Sequence, residues 1–269
     1  MEVTKSNYFS DEVRKNFVDC SIYKEAIGTY GKKGCECRAK AIIDGTYERP
    51  KTDALMVGSY VDAYFDGSLE QFKTDNPSIF TQKGELKAQY KQAEVMIKRC
   101  ERDDIFMRYM QGDTQVVMTA EIAGVPVRIK MDSFDGHRIT DLKTCKSISD
   151  TYYVADGERM DFIQYFGYVE QAFFYTEVVY KVTGVRYPFY IAAVSKEKED
   201  NVPHPRIAVI QIPDSVIEER RESIERNIKK VWRLINGEIE PIPCGTCGWC
   251  ADNLPIERVI SMDELLLEV

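Results

Sequence analysis

The chain has 269 residues, 44% hydrophobic and 30% charged, with a formal net charge of −8. That is a globular composition long enough for one large core, and the acidic balance excludes a protein that holds nucleic acid by overall positive charge, while leaving room for a local basic surface. No apolar run approaches the roughly 20 residues a membrane-spanning helix needs, and Met1-Glu2-Val3-Thr4-Lys5 lacks the apolar core of a signal peptide, so a cytoplasmic location is expected.

In chain order, residues 11–27 and 53–65 pattern as helices, and Lys32, Lys33, Arg38 and Lys40 group between them as a basic face. Residues 85–110 form a charged, two-part helical stretch, expected as a surface helix or arm. Strands follow at 114–122, 125–132 and 138–143, the last two joined by Asp135-Gly136, a hairpin-type turn. Residues 161–182 read as one long helix whose aromatic positions, from Phe162 to Tyr175, should mostly pack against the sheet. Two further strands, 187–194 and 206–212, enclose a polar link in which His204 is expected at the surface. Asp214 starts a last amphipathic helix carrying Ile217, Ile224, Ile228, Val231 and Ile235 and stopped by Asn236-Gly237. With no internal repeat and no low-complexity linker, the pattern predicts an α/β fold in one domain: a central mixed β-sheet flanked by α-helices, preceded by a helical segment to about residue 110 and followed by a cysteine-rich tail over 241–269.

The most informative stretch runs from Arg128-Ile129-Lys130-Met131-Asp132 to Asp141-Leu142-Lys143-Thr144. Val125, Val127 and Ile129 alternate with polar neighbours, and the chain turns and climbs back, so Asp132, Asp141 and Lys143 meet at the open end of a small sheet. Asp141 and Lys143 are two apart and share a strand face. Hard divalent cations need carboxylate oxygens, and a neighbouring ammonium can orient a water or stabilise a phosphate; together they equip a chain for phosphodiester hydrolysis. The plain alternative is an exposed cross-strand ion pair worth little. Glu121, ending the preceding strand, reads as an exposed carboxylate before it reads as a further ligand. Among eight cysteines, Cys244, Cys247 and Cys250 follow the C-x-x-C-x-x-C spacing of a loop wrapped around a metal or cluster; a tail of unligated thiols is the alternative. Cys100 and Cys145 read as ordinary buried small residues.

In order and spacing these segments resemble the PD-(D/E)xK nuclease superfamily, and within it the RecB-like and RecE-like exonucleases of phage recombination modules. The signature Asp, turn, (D/E)-x-K stands as Asp132 and Asp141-Leu142-Lys143-Thr144; Gly58-Ser59-Tyr60-Val61-Asp62 stands where the family has G-x-x-x-H, with Asp in place of His; Gln164-Tyr165-Phe166-Gly167-Tyr168 matches Q-x-x-x-Y. The opening Ser6-Asn7-Tyr8-Phe9 through Asp19-Cys20 also looks like that group's first segment. The resemblance implies a restriction-endonuclease-like core in which Asp62, Asp132, Asp141 and the backbone carbonyl of Leu142 hold Mg²⁺ or Mn²⁺. Lys143 would orient the attacking water, and Gln164 and Tyr168 would hold the phosphate. By the same analogy Cys20 joins Cys244, Cys247 and Cys250 around a [4Fe–4S] cluster or Zn²⁺, with Cys35 or Cys37 as rivals to Cys20. The implied activity is a metal-dependent DNA exonuclease working on linear double-stranded ends in phage-type recombination or end processing. A single-strand annealing protein and further copies of the chain are the implied partners. The rival readings are a Cas4-like adaptation nuclease, a non-catalytic DNA-binding protein with a nuclease fold, and a redox or scaffold protein organised around the cysteine tail.

Overall fold

The structure, a computed structural model, describes residues 1–154, 157–256, 258–259 and 261–263. The amino-terminal part is helical, with α1 (Asp11–Asn16), α2 (Cys20–Ile27), the small hairpin β1 (Gly28–Thr29) and β2 (Lys32–Lys33), then α3 (Glu36–Ile43), α4 (Asp53–Phe65), α5 (Leu69–Asp75), α6 (Gln92–Glu101) and α7 (Asp104–Met110). Three long strands follow, β3 (Asp113–Ile122), β4 (Val125–Phe134) and β5 (Ile139–Cys145). The hairpin β6 (Tyr152–Tyr153) and β7 (Arg159–Met160) then leads into α8 (Phe162–Tyr165) and α9 (Tyr168–Thr183). β8 (Phe189–Ser195), the hairpin β9 (Lys198–Glu199) and β10 (Val202–Pro203), β11 (Ile207–Ile212), α10 (Asp214–Glu218), α11 (Arg221–Ile235) and α12 (Gly248–Asn253) complete the order.

The five long strands form one sheet in the order β11-β8-β5-β4-β3. Only the β5–β8 pair is parallel, as a crossover through α8 and α9 requires. Both faces of its middle are buried, so alternate residues serve two cores. Ile139, Ile191 and Ala193 join Phe173, Phe174 and Ile228 on the side of α9 and α11. Leu142, Ala192 and Val194 join Val57, Val61, Met96 and Phe106 on the side of α4, α6 and α7.

The mixed sheet flanked by helices matches the sequence reading, and the departures have local causes. The 11–27 stretch is two helices, because Val18 pairs with Val127 as an isolated bridge and the Asp19 carboxylate caps α2 by accepting from the Ile22 N–H (2.9 Å). The 85–110 stretch is no surface arm: Ala93, Met96, Ile97, Cys100 and Phe106 are buried in the second core. Residues 161–182 are not one helix. Gly167 adopts φ +67° between α8 and α9, and a Cβ there would lie 2.7 Å from the Thr29 methyl. The last helix breaks between α10 and α11, and α3, capped by Cys35, carries no signal that the sequence reading used. His204 is exposed, and Cys100 and Cys145 are buried, as expected.

Candidate active site

The site is built where two strands part. β4 and β5 pair only at Ser133↔Thr140 and Phe134↔Ile139, next to the turn. The turn is closed by the Asp135 carboxylate, which accepts the N–H groups of His137 and Arg138 (both 2.9 Å), with Gly136 at φ +77°. Beyond those two pairs the strands fork. The Leu142 N–H, freed from a ladder with β4, donates to Asp132 Oδ2 (2.9 Å), while Gln115 Nε2 on β3 donates to Asp132 Oδ1 (3.3 Å). On the facing strand Asp141 is 2% exposed; its Oδ1 accepts from Gln171 Nε2 (2.6 Å) and its Oδ2 is ion-paired with Lys143. Lys143 in turn lies over the Tyr168 ring, 5.1 Å from its centroid.

Asp62 arrives from the other side by a close approach. A Cβ on Gly58 would stand 2.8 Å from Thr144 Oγ1, so only glycine lets α4 lie this near β5. One helical turn later, Asp62 projects towards the fork and into the field of Asp132, Lys143 and Asp141. The electrostatics show anions held close together. Burial and the negative charge of Asp141 push Asp132 up to about 7, against the pull of Lys143. Asp62 keeps solvent contact, yet loss of water around its carboxyl and the charge of Asp132 raise it well above the usual carboxylate range. Burial works against the charge on Lys143, but Asp141, Tyr168 and Asp132 more than offset it and hold the ammonium above its ordinary value. Three carboxylates that repel one another offer the oxygen donors a hard divalent cation prefers, facing one fork but not drawn together as closely as four of the chain's thiols.

The expected residues do not all gather here. Asp62, Asp132, Asp141, the Leu142 backbone, Lys143 and Tyr168 do. Gln164 does not: it sits on α8 across the break at Gly167 from Tyr168, and its amide is spent on Asp161 Oδ2 (2.9 Å). Its place is taken by Gln171, which together with Tyr175 repeats the Q-x-x-x-Y spacing on the unbroken α9; the Tyr175 hydroxyl donates to the Lys130 carbonyl (2.8 Å). The signal was in the chain, as the second of two identical spacings. Glu121 is exposed beside the β3–β4 turn, opposite Pro126 and away from the fork. A cleft of about 250 Å³ opens onto Lys143 and Gln171 and is walled by Tyr8, Asp19, Lys24 and Arg128. Arg128 is 1% exposed, bound to Asp19 (2.6 Å) and to the Tyr8 carbonyl, with its guanidinium 4.6 Å from the centre of the Tyr8 ring.

The cysteine set needs a correction. The fourth thiol at the tail is Cys35, the cap of α3: the sulfurs of Cys35, Cys244, Cys247 and Cys250 all lie within 4.8 Å of one another, and among the described residues no other such group of ligand atoms occurs. Cys20 instead begins α2 inside the main core, where burial pushes its thiol up to about 12. Cys37 packs beside the set with its sulfur on the Pro241 carbonyl (3.3 Å).

Comparison with known proteins agrees with this geometry. Residues 19–253 match the sequence model of a family described as a PDDEXK-like domain of unknown function (DUF3799). A crystal structure from Eubacterium rectale, titled "putative exonuclease", superposes at a TM-score of 0.93 with 45% identity over 100% of both chains. A second structure, SSO0001, covers 80% of this chain and 91% of its own at 11% identity and a TM-score of 0.31, too distant to carry an argument. No curated protein matches.

Proposed function

The chain belongs to the PDDEXK-like family whose model spans residues 19–253 of it, and on that premise we propose that it is a divalent-metal-dependent exonuclease that hydrolyses DNA from linear ends. The observation that carries this is the fork, where Asp132, Asp141 and Lys143 converge beneath Asp62 with Gln171 bound to Asp141. Asp62, Asp132, Asp141 and the Leu142 carbonyl would hold Mg²⁺ or Mn²⁺. Such an ion, when bound, polarises a phosphate oxygen and makes a water acidic enough to react near neutral pH. The protein's own groups do the rest. Gln171 fixes the rotation of Asp141, and Gln115 and the Leu142 N–H fix that of Asp132, so the oxygens are oriented before any ion or substrate arrives. Lys143, kept protonated by Asp141, orients the attacking water and offsets the charge that builds on the phosphate oxygens. Tyr168 steadies Lys143, and the cleft beside Arg128 receives the substrate strand.

End-labelled linear DNA and closed circular DNA, each incubated with Mg²⁺ or Mn²⁺, test the reading. Linear DNA should be digested and circles spared. Equal cutting of circles moves the chain to the endonucleases, and intact DNA in both metals overturns the proposal. The exonuclease title of the 45% identical structure supports the activity class alone; a role in phage-type recombination or end processing, with an annealing protein as partner and self-association, extends the same reading and rests on the sequence resemblance.

For the cysteine set we infer one structural zinc ion. Zn–S bonds of about 2.3 Å in a tetrahedron place sulfurs about 3.8 Å apart. The Cys35–Cys250 and Cys244–Cys250 sulfurs are 3.6 and 3.8 Å apart. A cubane iron–sulfur cluster hangs its four thiolates on four separate irons and spreads them further. Burial would raise the Cys244 thiol, but N–H donors at Thr246 and Cys247 and the Cys247 thiol bring it down to about 6. Burial instead pushes Cys35 up to about 12 and raises Cys250, so a bound ion would have to displace their protons.

A further inference from the structure

The active-site cleft does not end at Lys24. A second cleft of about 230 Å³ shares Ser21 and Lys24 with it and continues past Glu25, Lys32, Arg49 and Phe166. Its floor is cationic for a definite reason. The carboxylate of Glu25, 4% exposed, gathers three cations: Lys32 (3.2 Å), Arg49 (2.9 Å) and Arg38. With Lys24 that is four positive charges against one negative, on a chain whose overall charge is −8. The Lys32 and Arg49 side chains remain 52% and 45% exposed, so their charge faces the cleft and not only the core.

The opposite wall is aromatic. Tyr152 stacks on Tyr165 with ring centres 4.5 Å apart at 22°, and Phe166 meets Tyr152 edge-on at 5.2 Å. Packing of that kind normally hides every ring, yet Phe166 is 40% exposed at the cleft. These rings are held firmly. A Cβ on Gly31 would fall 2.2 Å from the Tyr165 ring, and the one on Gly167 would strike Thr29 and Lys24, so two glycines let the β1–β2 hairpin and α2 clamp the cluster. Lys24 Nζ completes the clamp by donating to the Phe166 carbonyl (3.3 Å).

We propose that these adjoining clefts are a binding track for single-stranded DNA, in which phosphates run along Lys24, Lys32 and Arg49 while unpaired bases stack on Phe166 on their way to Lys143. The proposal rests on the nuclease reading and narrows it: the strand being cut is unpaired before it reaches the fork. Fixed aromatic faces beside a cationic groove recognise unpaired bases in any sequence, because every base has a flat face and a duplex hides those faces in its own stack. Clefts of 230 and 250 Å³ are of the order of one nucleotide each, matching a strand read one base at a time.

Fluorescence anisotropy in Ca²⁺, with a labelled oligothymidylate and a blunt-ended DNA hairpin as probes, tests it without requiring cleavage. The wild-type chain should bind oligothymidylate at least about tenfold more tightly than the hairpin, and Phe166→Ala should weaken oligothymidylate binding about fivefold or more while leaving the hairpin unchanged. Arg49→Ala should flatten the salt dependence of oligothymidylate binding by about 0.7 in log–log slope. Phe166→Leu, which keeps an apolar side chain but removes the ring face, repeats the stacking test if Phe166→Ala melts at a lower temperature. Unchanged oligothymidylate affinity in both Phe166 variants, or equal losses on strand and hairpin, overturns the track. A chain that digests linear DNA but fails here loses only the track; one that passes here but cuts nothing loses only the nuclease reading.

Discussion

Asp141 and Lys143 are one unit, and their variants should not behave alike. Lys143 is 19% exposed at its side chain. Lys143→Ala leaves the buried Asp141 carboxylate with Gln171 but without its cation, so the variant should fold with a lowered melting temperature and is best assayed well below it. It should lower turnover by about 10²–10³, the scale of one lost charge-stabilising donor. DNA affinity should change little, since many phosphate contacts remain; single-turnover rates set against binding in Ca²⁺ would show the split. Asp141→Ala leaves a cation and the Gln171 amide without their buried partner, which costs about 3–5 kcal/mol. Asp141→Asn, which keeps an oxygen for Gln171, is the cleaner test: cleavage should vanish while DNA binding in Ca²⁺ survives. The two glutamines decide which Q-x-x-x-Y belongs to the site. Gln171→Leu should reduce activity about 10–100-fold through a misaligned Asp141, whereas Gln164→Leu should stay within about twofold of wild type. Comparable losses from both would return Gln164 to the site. Asp132, Asp141 and Lys143 were legible because strand alternation and a short turn are local signals. Gln171 was not, because choosing between two equal spacings depends on where the helix breaks, and Gly167 breaks it against Thr29, a residue 138 positions earlier in the chain.

At the scale of elements, α4 is set by a missing methyl. Gly58→Ala would drive a Cβ to within 2.8 Å of Thr144 Oγ1, push α4 off β5 and carry Asp62 with it. We expect a loss of about 1–3 kcal/mol and weaker divalent-metal affinity, both largely restored in the Gly58→Ala/Thr144→Ala pair; thermal melting and metal titration of the three variants check this. Element boundaries were less legible than element types for the same kind of reason. The split of 11–27 depends on the Val18–Val127 bridge, and the burial of 85–110 depends on α4 as a packing partner; neither can be read from a local window. The helix that carries Glu25 makes a pH prediction. Burial alone would raise this carboxyl, but Arg49, Lys32 and Arg38 more than offset it, so the folded value lies below the ordinary one of 4.5. A depressed carboxylate contributes stability that is present above its unfolded pKa and lost as pH falls through its folded pKa. The melting-temperature gap between wild type and Glu25→Gln should therefore be widest near neutral pH and close below about pH 4. A gap that is constant across that window would mean the three cations gain nothing from the Glu25 charge.

At the scale of the whole molecule, the composition points to a globular chain and the pattern to a mixed sheet between helices, but the meeting of Cys35 with the Cys244–Cys250 segment is a tertiary fact. Tail spacing made Cys244, Cys247 and Cys250 legible as ligands, whereas the fourth partner had to be found in space. Cys35 supplies it because its place as the α3 cap turns its sulfur out of the main core, while Cys20 at the start of α2 is sealed inside that core. Among the described residues no helix is long and apolar enough to cross a membrane. Four thiols and their packing join the start of α3 to the Cys244–Cys250 segment. If one zinc ion joins them, thiolates fill every coordination position and leave none for water, which makes the ion structural. Purified protein should then carry about one zinc per chain, and a strong chelator should lower its melting temperature because ion binding is coupled to folding. Cys35→Ser and Cys247→Ser should each lose the zinc and melt earlier, with nuclease activity at low temperature preserved. Cys20→Ser, despite its buried position, should keep the full zinc content, which separates loss of a ligand from loss of packing. Zinc retained in Cys35→Ser but lost in Cys20→Ser would restore Cys20 as the fourth ligand, and several irons per chain in anaerobically purified protein would replace the zinc ion with a cluster. Metal-free protein with unchanged melting in Cys247→Ser would leave the four thiols reduced and unligated, and α3 and the cysteine segment held by packing alone.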